Sequence, residues 1–283
     1  MNPSEIKATL ASLGAAPNKK LGQHFLISEA ALGAIMSAAE IQPDDHVVEV
    51  GPGLGVLTNR LLAAGARVTA IEQDRLFIPY LEERFGNQPC TVIHGDATAI
   101  HWHDLAHDAS WKLISNLPYA ITSLALRKAL WSPKPATRVV VLIQREVAER
   151  AIAKNGKTSL LSLAVALASS HMRIVRRVPA GAFFPPPKVE SAVLEIVPTP
   201  LPHREAQWGI NPERVMELAR RGFAHPRKQL AANLATEAQS KQTIQAVLRH
   251  LNINDRARAE ALSPHKWAEL TKSLAHTPLP SPL

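Results

Sequence analysis

The chain has 283 residues, 46 % of them apolar and 20 % charged, with a formal net charge of +8. That composition supports an ordinary hydrophobic core, and the single cysteine, Cys90, excludes a disulfide-built protein. No apolar run reaches the ~18 residues of a membrane span, and MNPSEIKATL has no signal-peptide pattern, so a cytoplasmic protein with no membrane partner is expected.

The first 28 residues are polar and basic, and a helical pattern follows at about 28–40. His46–Val50 reads as a buried strand, 56–64 as helix, Ala66–Ile71 as a second strand and about 74–85 as helix. Thr91–Ile93, Lys112–Ser115 and the β-branched run Arg138–Ile143 read as three more strands. This alternation predicts a parallel sheet with helices on both faces. Residues 158–170 read as helix. Met172–Val175 and Ser191–Val197 read as strands around the proline-rich stretch Phe183–Lys188, able to pair antiparallel at the sheet edge. Pro198-Thr199-Pro200-Leu201-Pro202 interrupts regular structure, so the domain boundary is placed there: residues 1–200, then 201–283. The second part reads as short amphipathic helices from Pro212 to about Leu274, with a disordered tail from about 276. It is the more basic part, holding 12 of the 32 Lys+Arg from His203 onward but 7 of the 24 Asp+Glu. A cationic surface favours an anionic partner, nucleic acid among them.

Three features fall at consecutive strand ends. Gly51-Pro52-Gly53-Leu54-Gly55 follows the first strand and opens a helix, where glycine lets the backbone turn and approach a ligand. The dinucleotide fingerprint G-x-G-x-x-G fails because Val56 stands at its third glycine, which argues against a nicotinamide dehydrogenase. The spacing G-x-G-x-G is that of S-adenosylmethionine enzymes. Glu72 ends the second strand, where a carboxylate can accept from both ribose hydroxyls, and Asp96 ends the third, placed to accept from an adenine amine. Asn116-Leu117-Pro118-Tyr119 follows the fourth strand. The lone pair of an adenine N6 amine is delocalised into the ring, and two acceptors on its N–H groups draw it out of the plane. The Asn116 side chain and the Leu117 carbonyl can be those acceptors, Pro118 stiffens the turn, and Tyr119 offers a face on which the base stacks.

Lys20–Leu26, Glu49–Gly55, Asn116–Tyr119 and Phe183–Val193 stand in the order and spacing of a known family. Over about residues 17–270 the chain resembles the KsgA/RsmA ribosomal RNA adenine dimethyltransferases. The resemblance implies a Rossmann-like S-adenosylmethionine-dependent methyltransferase domain with a small all-helical C-terminal domain. It implies transfer of four methyls to two adjacent adenosines near the 3′ end of small-subunit rRNA. Carried over by position, Gln23, His24, Leu26, Gly51, Gly53, Glu72, Asp96, Ala97 and Asn116 would hold the cofactor. Phe183 would close the other face of the target adenine opposite Tyr119. Lys19, Lys20, Lys188, Arg220, Arg221, Arg227 and Lys228 would meet RNA phosphates. The implied partner is the immature small subunit. The chain is expected to act as a monomer, and no protein partner is inferred.

The sequence departs from that family at His24, where Asn is commoner, at Ala120–Leu124 and at Thr158–Ser162. An assembly factor with little catalysis and a large-subunit adenine methyltransferase are the competing readings. His101-Trp102-His103-Asp104, with His107 and Asp108, clusters metal-ligating residue types in one connection. It lacks a distant ligand, so no metal is expected. Trp208 and Trp267 are expected in the core or at a domain interface.

Overall fold

The computed structural model describes residues 1–18, 21–105, 110–153 and 156–275. In chain order it contains α1 (Pro3–Ser12), β1 (Phe25–Leu26), α2 (Glu29–Ala39), β2 (His46–Val50), α3 (Val56–Ala63), β3 (Arg67–Glu72), α4 (Ile78–Phe85) and β4 (Cys90–His94). Then come α5 (Trp102–Leu105), β5 (Trp111–Asn116), α6 (Thr122–Trp131), β6 (Arg138–Gln144), α7 (Arg145–Ala151), α8 (Leu160–Ala168), β7 (Ser169–Val178), β8 (Phe183–Phe184) and β9 (Ser191–Pro198). The chain ends in α9 (Leu201–Trp208), α10 (Pro212–Gly222), α11 (Leu230–Leu234), α12 (Lys241–His250) and α13 (Pro264–Ala275).

Seven strands form one sheet in the order β4-β3-β2-β5-β6-β9-β7. The pairs from β4 to β6 are parallel, and β9 runs antiparallel to β6 with Val141 opposite Leu194. Successive residues Val139 to Ile143 are all buried, so both faces of the sheet are covered, as parallel sheets require. One face packs against α2, α3 and α4, together with Ile6 and Leu10 of α1. Beyond this α/β layer the chain is helical, which is the expected Rossmann-like architecture.

The N-terminal polar stretch, to which the sequence assigns no element, contains a helix: Asn2 caps α1 and forms a capping box with Glu5, and Pro3 opens the first turn. α9 starts at Leu201 despite its prolines, because Pro202 sits in the first turn, where its missing N–H is not needed. The chain divides into two compact units, residues 1–148 with 170–198 and residues 149–169 with 199–283. A boundary at residue 200 leaves 149–169 with the first domain. In the structure α8 instead packs on α10 and α13, because Leu163, Val165 and Leu167 need a helical partner. Trp208 and Trp267 are both buried within this second unit. The tail from residue 276 lies outside the described residues. Among the described residues no helix is long and apolar enough to cross a membrane.

Candidate active site

The strand order reverses at β2, which has β3 on one side and β5 on the other. Ligands of open α/β sheets bind at such switch points, outside the carboxyl ends of the strands. The β2–β5 ladder ends with Val48 opposite Leu113. Beyond it the Ser115 hydroxyl donates to the Val50 carbonyl (2.6 Å) and accepts from the Val50 N–H (3.3 Å). The strands part there, and a cleft opens.

Gln23, His24, Leu26, Gly51, Gly53, Glu72, Asp96, Ala97, Asn116, Leu117 and Tyr119 all line this one cleft. Gly51 and Gly53, both at positive φ, bring bare backbone to the cleft wall, while Gly55 (φ +72°) packs the loop against α4, where a Cβ would lie 2.4 Å from the Phe85 ring. The Gly53 N–H donates to one Glu72 carboxylate oxygen (3.0 Å) and the Asp74 N–H to the other (2.8 Å). Burial raises the Glu72 carboxyl above its ordinary value, and these backbone donors partly offset it. Asp96 is the opposite case. Its hydrogen bonds with Thr98 hold it below the usual carboxylate range, so it is an anion available to an amine donor. The neighbouring Ala97 carbonyl accepts from the Trp102 indole (2.9 Å) and the Lys128 ammonium (3.3 Å), which fixes the loop.

Long-range hydrogen bonds tie the N-terminal segment over the cleft. The Gln23 side chain donates to Asp74 (2.8 Å) and accepts from the Asn18 N–H (2.8 Å). β1 pairs antiparallel with β8, Leu26 opposite Phe183 and Phe25 opposite Phe184. The Asn116 amide nitrogen donates to the His24 carbonyl (3.1 Å), so its Oδ1 remains an acceptor toward the cleft. The Leu117 N–H is held by the Leu142 carbonyl (3.1 Å). Its own carbonyl receives no donor among the described residues. Two acceptors on adjacent residues are what an exocyclic amine needs. The Tyr119 hydroxyl shares a hydrogen bond with Ser191 Oγ (2.7 Å), and burial raises its pKa.

Not every expected residue joins the cleft. Phe183 is 2 % exposed and packs in the core cluster, beside its ladder partner Leu26, which itself borders the cleft. Lys188 is exposed in the first unit; Arg220, Arg227 and Lys228 are exposed in the second, around the end of α10. Arg221 is only half-exposed and donates to the Leu234 carbonyl (2.8 Å), tying α10 to α11. Lys19, Lys20, His107 and Asp108 lie outside the described residues. Among the described residues no group of three His, Cys, Asp or Glu side chains could hold a metal.

Sequence reasoning misses three cleft or anchoring residues: Glu49, Asp74 and Ser191. Glu49 is 1 % exposed, accepts from the Thr58 hydroxyl (2.6 Å), and is pushed up to about 8 by burial. A carboxylate inside an otherwise apolar strand, just before the glycine loop, is the signal that could have found it. Asp74 and Ser191 act through partners 51 and 72 residues away, which leaves no local trace.

The cleft fits an adenosyl ligand: its wall carries Gly51 and Gly53 in left-handed backbone conformations, with an oriented carboxylate and a depressed one on neighbouring strand ends. A profile of the family "ribosomal RNA adenine dimethylase" matches residues 14–276. The chain belongs to this family. It is an S-adenosylmethionine-dependent rRNA adenine dimethyltransferase. It is 40 % identical over 263 residues to the ribosomal RNA small subunit methyltransferase A of Dehalococcoides mccartyi strain CBDB1, covering 92 % of this chain and 89 % of the relative. A dimethyladenosine transferase from Plasmodium falciparum superposes with a TM-score of 0.74 at 25 % identity, over 90 % of this chain and 98 % of that one. The 23S rRNA methyltransferase ErmE shares the fold, with a TM-score of 0.70 at 24 % identity over 89 % of this chain and 99 % of that one.

Proposed function

We propose that this protein methylates N6 of two adjacent adenosines near the 3′ end of small-subunit rRNA, giving N6,N6-dimethyladenosine. It does so as a monomer, in the cytoplasm, on the immature small subunit. The observation that carries the reading is the pair of free acceptors, Asn116 Oδ1 and the Leu117 carbonyl, in one cleft with Glu72 and Asp96. Relatives that share about 40 % of this sequence and are named for the small subunit support it over a large-subunit target.

When bound, S-adenosylmethionine supplies a methyl on a positively charged sulfur. Glu72 accepts from the ribose hydroxyls, and Asp96 with Ala97 receives the adenine end. Gln23, His24, Leu26, Gly51 and Gly53 line the remainder. Asn116 Oδ1 and the Leu117 carbonyl accept hydrogen bonds from the two N6 N–H groups of the target base and expose its lone pair, and Pro118 holds the Leu117 carbonyl in place. Tyr119 stacks on the base. No side chain is needed as a general base, because the N6 proton becomes acidic only after the methyl has moved. Lys188, Arg220, Arg227 and Lys228, with Lys19, Lys20 and the remaining donors of Arg221, meet phosphates.

The test is transfer from labelled S-adenosylmethionine to small subunits that lack the modification, followed by nucleoside analysis of the digested rRNA. Close to four methyls per subunit on two neighbouring adenosines is expected. Asn116→Ala should lower kcat by ~100-fold or more with RNA binding retained, as loss of a preorganised polar group at a reacting centre does. Normal turnover in that variant refutes the assigned role.

A further inference from the structure

We infer that Arg84 of α4 is a positioning residue for the cofactor: it holds the glycine loop in its binding shape by donating to the Leu54 carbonyl (3.2 Å). This rests on the cofactor seat proposed above. The loop needs such a hold. Gly51, Gly53 and Gly55 all sit at positive φ, from +56° to +72°, and glycine loses more backbone freedom on ordering than any other residue. A loop left loose would have to be ordered when the ligand binds, which weakens affinity. Leu54 stands between two of these glycines, is fully buried, and borders the cleft. Both polar ends of the Leu54–Gly55 peptide are tied. The Gly55 N–H donates to the Pro52 carbonyl (2.9 Å), and the Leu54 carbonyl accepts from Arg84. One residue earlier the Gly53 N–H donates to Glu72 at the end of β3 (3.0 Å). The strand and the helix that follows it thus fix successive parts of the loop.

Arg84 is itself oriented for this task. The nitrogen that reaches Leu54 also donates to the Tyr80 hydroxyl (2.5 Å) and lies 3.8 Å from Met1 Sδ. The guanidinium stands over two rings of its own helix, 5.8 Å from the Tyr80 centroid and 5.3 Å from that of Phe85. Tyr80 and Arg84 are four residues apart on α4, so helical geometry brings them together. Phe85 is the residue whose ring packs on Gly55, so adjacent side chains of α4 meet adjacent residues of the loop. Among the described residues no carboxylate pairs with Arg84: its partners are a carbonyl, a hydroxyl and a thioether. Arg84 is not part of the cleft wall, so it acts on the cofactor only through the backbone it holds.

The experiment compares wild type with Arg84→Met, which keeps the aliphatic stem and loses the donors. Calorimetry gives Kd for S-adenosylmethionine and for S-adenosylhomocysteine, whose sulfur is neutral. Loss of a hydrogen bond from a charged donor should weaken both ligands by the same factor, roughly ten-fold. At saturating S-adenosylmethionine kcat should stay within about two-fold of wild type, since the interaction serves ground state and transition state alike. Removal of a positive charge acting only through space predicts the opposite sign, a tighter grip on the cationic ligand relative to the neutral one. Amide hydrogen exchange of the cofactor-free proteins reads the loop directly: the Gly55 N–H should be protected in wild type and exchange roughly ten-fold faster in the variant. Wild-type affinities in Arg84→Met, a loss confined to one ligand, or a fall in kcat with both Kd values unchanged overturns the proposal. So does an unprotected Gly55 amide in the wild type, a result that does not depend on how the variant folds. Failure of the wild type to bind S-adenosylmethionine instead overturns the cofactor seat, and the role of Arg84 with it.

Discussion

Glu49 offers the sharpest quantitative test, because its position can be separated from the chemistry beside it. The side chain is 1 % exposed within β2 and accepts a single side-chain hydrogen bond, from the Thr58 hydroxyl at 2.6 Å. Burial, with the nearby Glu72 adding to it, raises its carboxyl from an ordinary 4.5 to about 8. The folded protein therefore keeps a proton that the unfolded chain has released across that window. An acid raised on folding contributes stability that is fully present below pH 4.5 and is lost as pH climbs through about 8. At about 1.4 kcal/mol per pH unit, the loss across the window is on the order of 5 kcal/mol. Glu49→Gln preserves the shape and the acceptor for Thr58 but cannot ionise. Urea unfolding followed by circular dichroism, at half-unit steps from pH 5 to pH 9, should show the variant close to wild type at pH 5. It should become progressively more stable than wild type toward pH 9. Parallel curves for the two proteins would show that Glu49 is solvated or paired when folded, and the reasoning fails.

Three further outcomes follow from the geometry. Gly55→Ala places a Cβ 2.4 Å from the Phe85 ring at φ +72°, and should cost about 2–4 kcal/mol in thermal unfolding; a change below about 0.5 kcal/mol means the loop repacks freely. Ser191→Ala leaves the half-buried Tyr119 hydroxyl without its partner and should cost about 1 kcal/mol, with no further loss when Tyr119→Phe is added; additive losses in that double-mutant cycle mean the hydrogen bond does not couple the two residues. Arg220→Ala, Arg227→Ala and Lys228→Ala should each lower the slope of log affinity for RNA against log salt by roughly 0.7–0.9; an unchanged slope removes that residue from the phosphate contacts.

Much of the site is legible in the sequence because its parts are local. Each informative motif stands directly after a strand, and the carboxyl ends of parallel strands lie along one edge. Reading the strands correctly is therefore enough to bring Gly51, Glu72, Asp96 and Asn116 together. The capping box at Asn2 and Glu5 is equally local, with Ile6 and Leu10 one helical turn apart, so α1 is readable too. What stays hidden is pairing across long separations: Gln23 with Asp74, Tyr119 with Ser191, Asn116 with the backbone of His24. These contacts decide which acceptor is left free, and periodicity carries no information about them.

The two consecutive phenylalanines of β8 make the limit concrete. Alternation along a strand says that Phe183 and Phe184 point to opposite sides. It does not say which side faces the core, since both residues are equally apolar. In the structure Phe183 is 2 % exposed, while the partly exposed Phe184 ring has the Lys7 ammonium 5.3 Å from its centroid, an outcome set by a pairing between segments far apart in the chain.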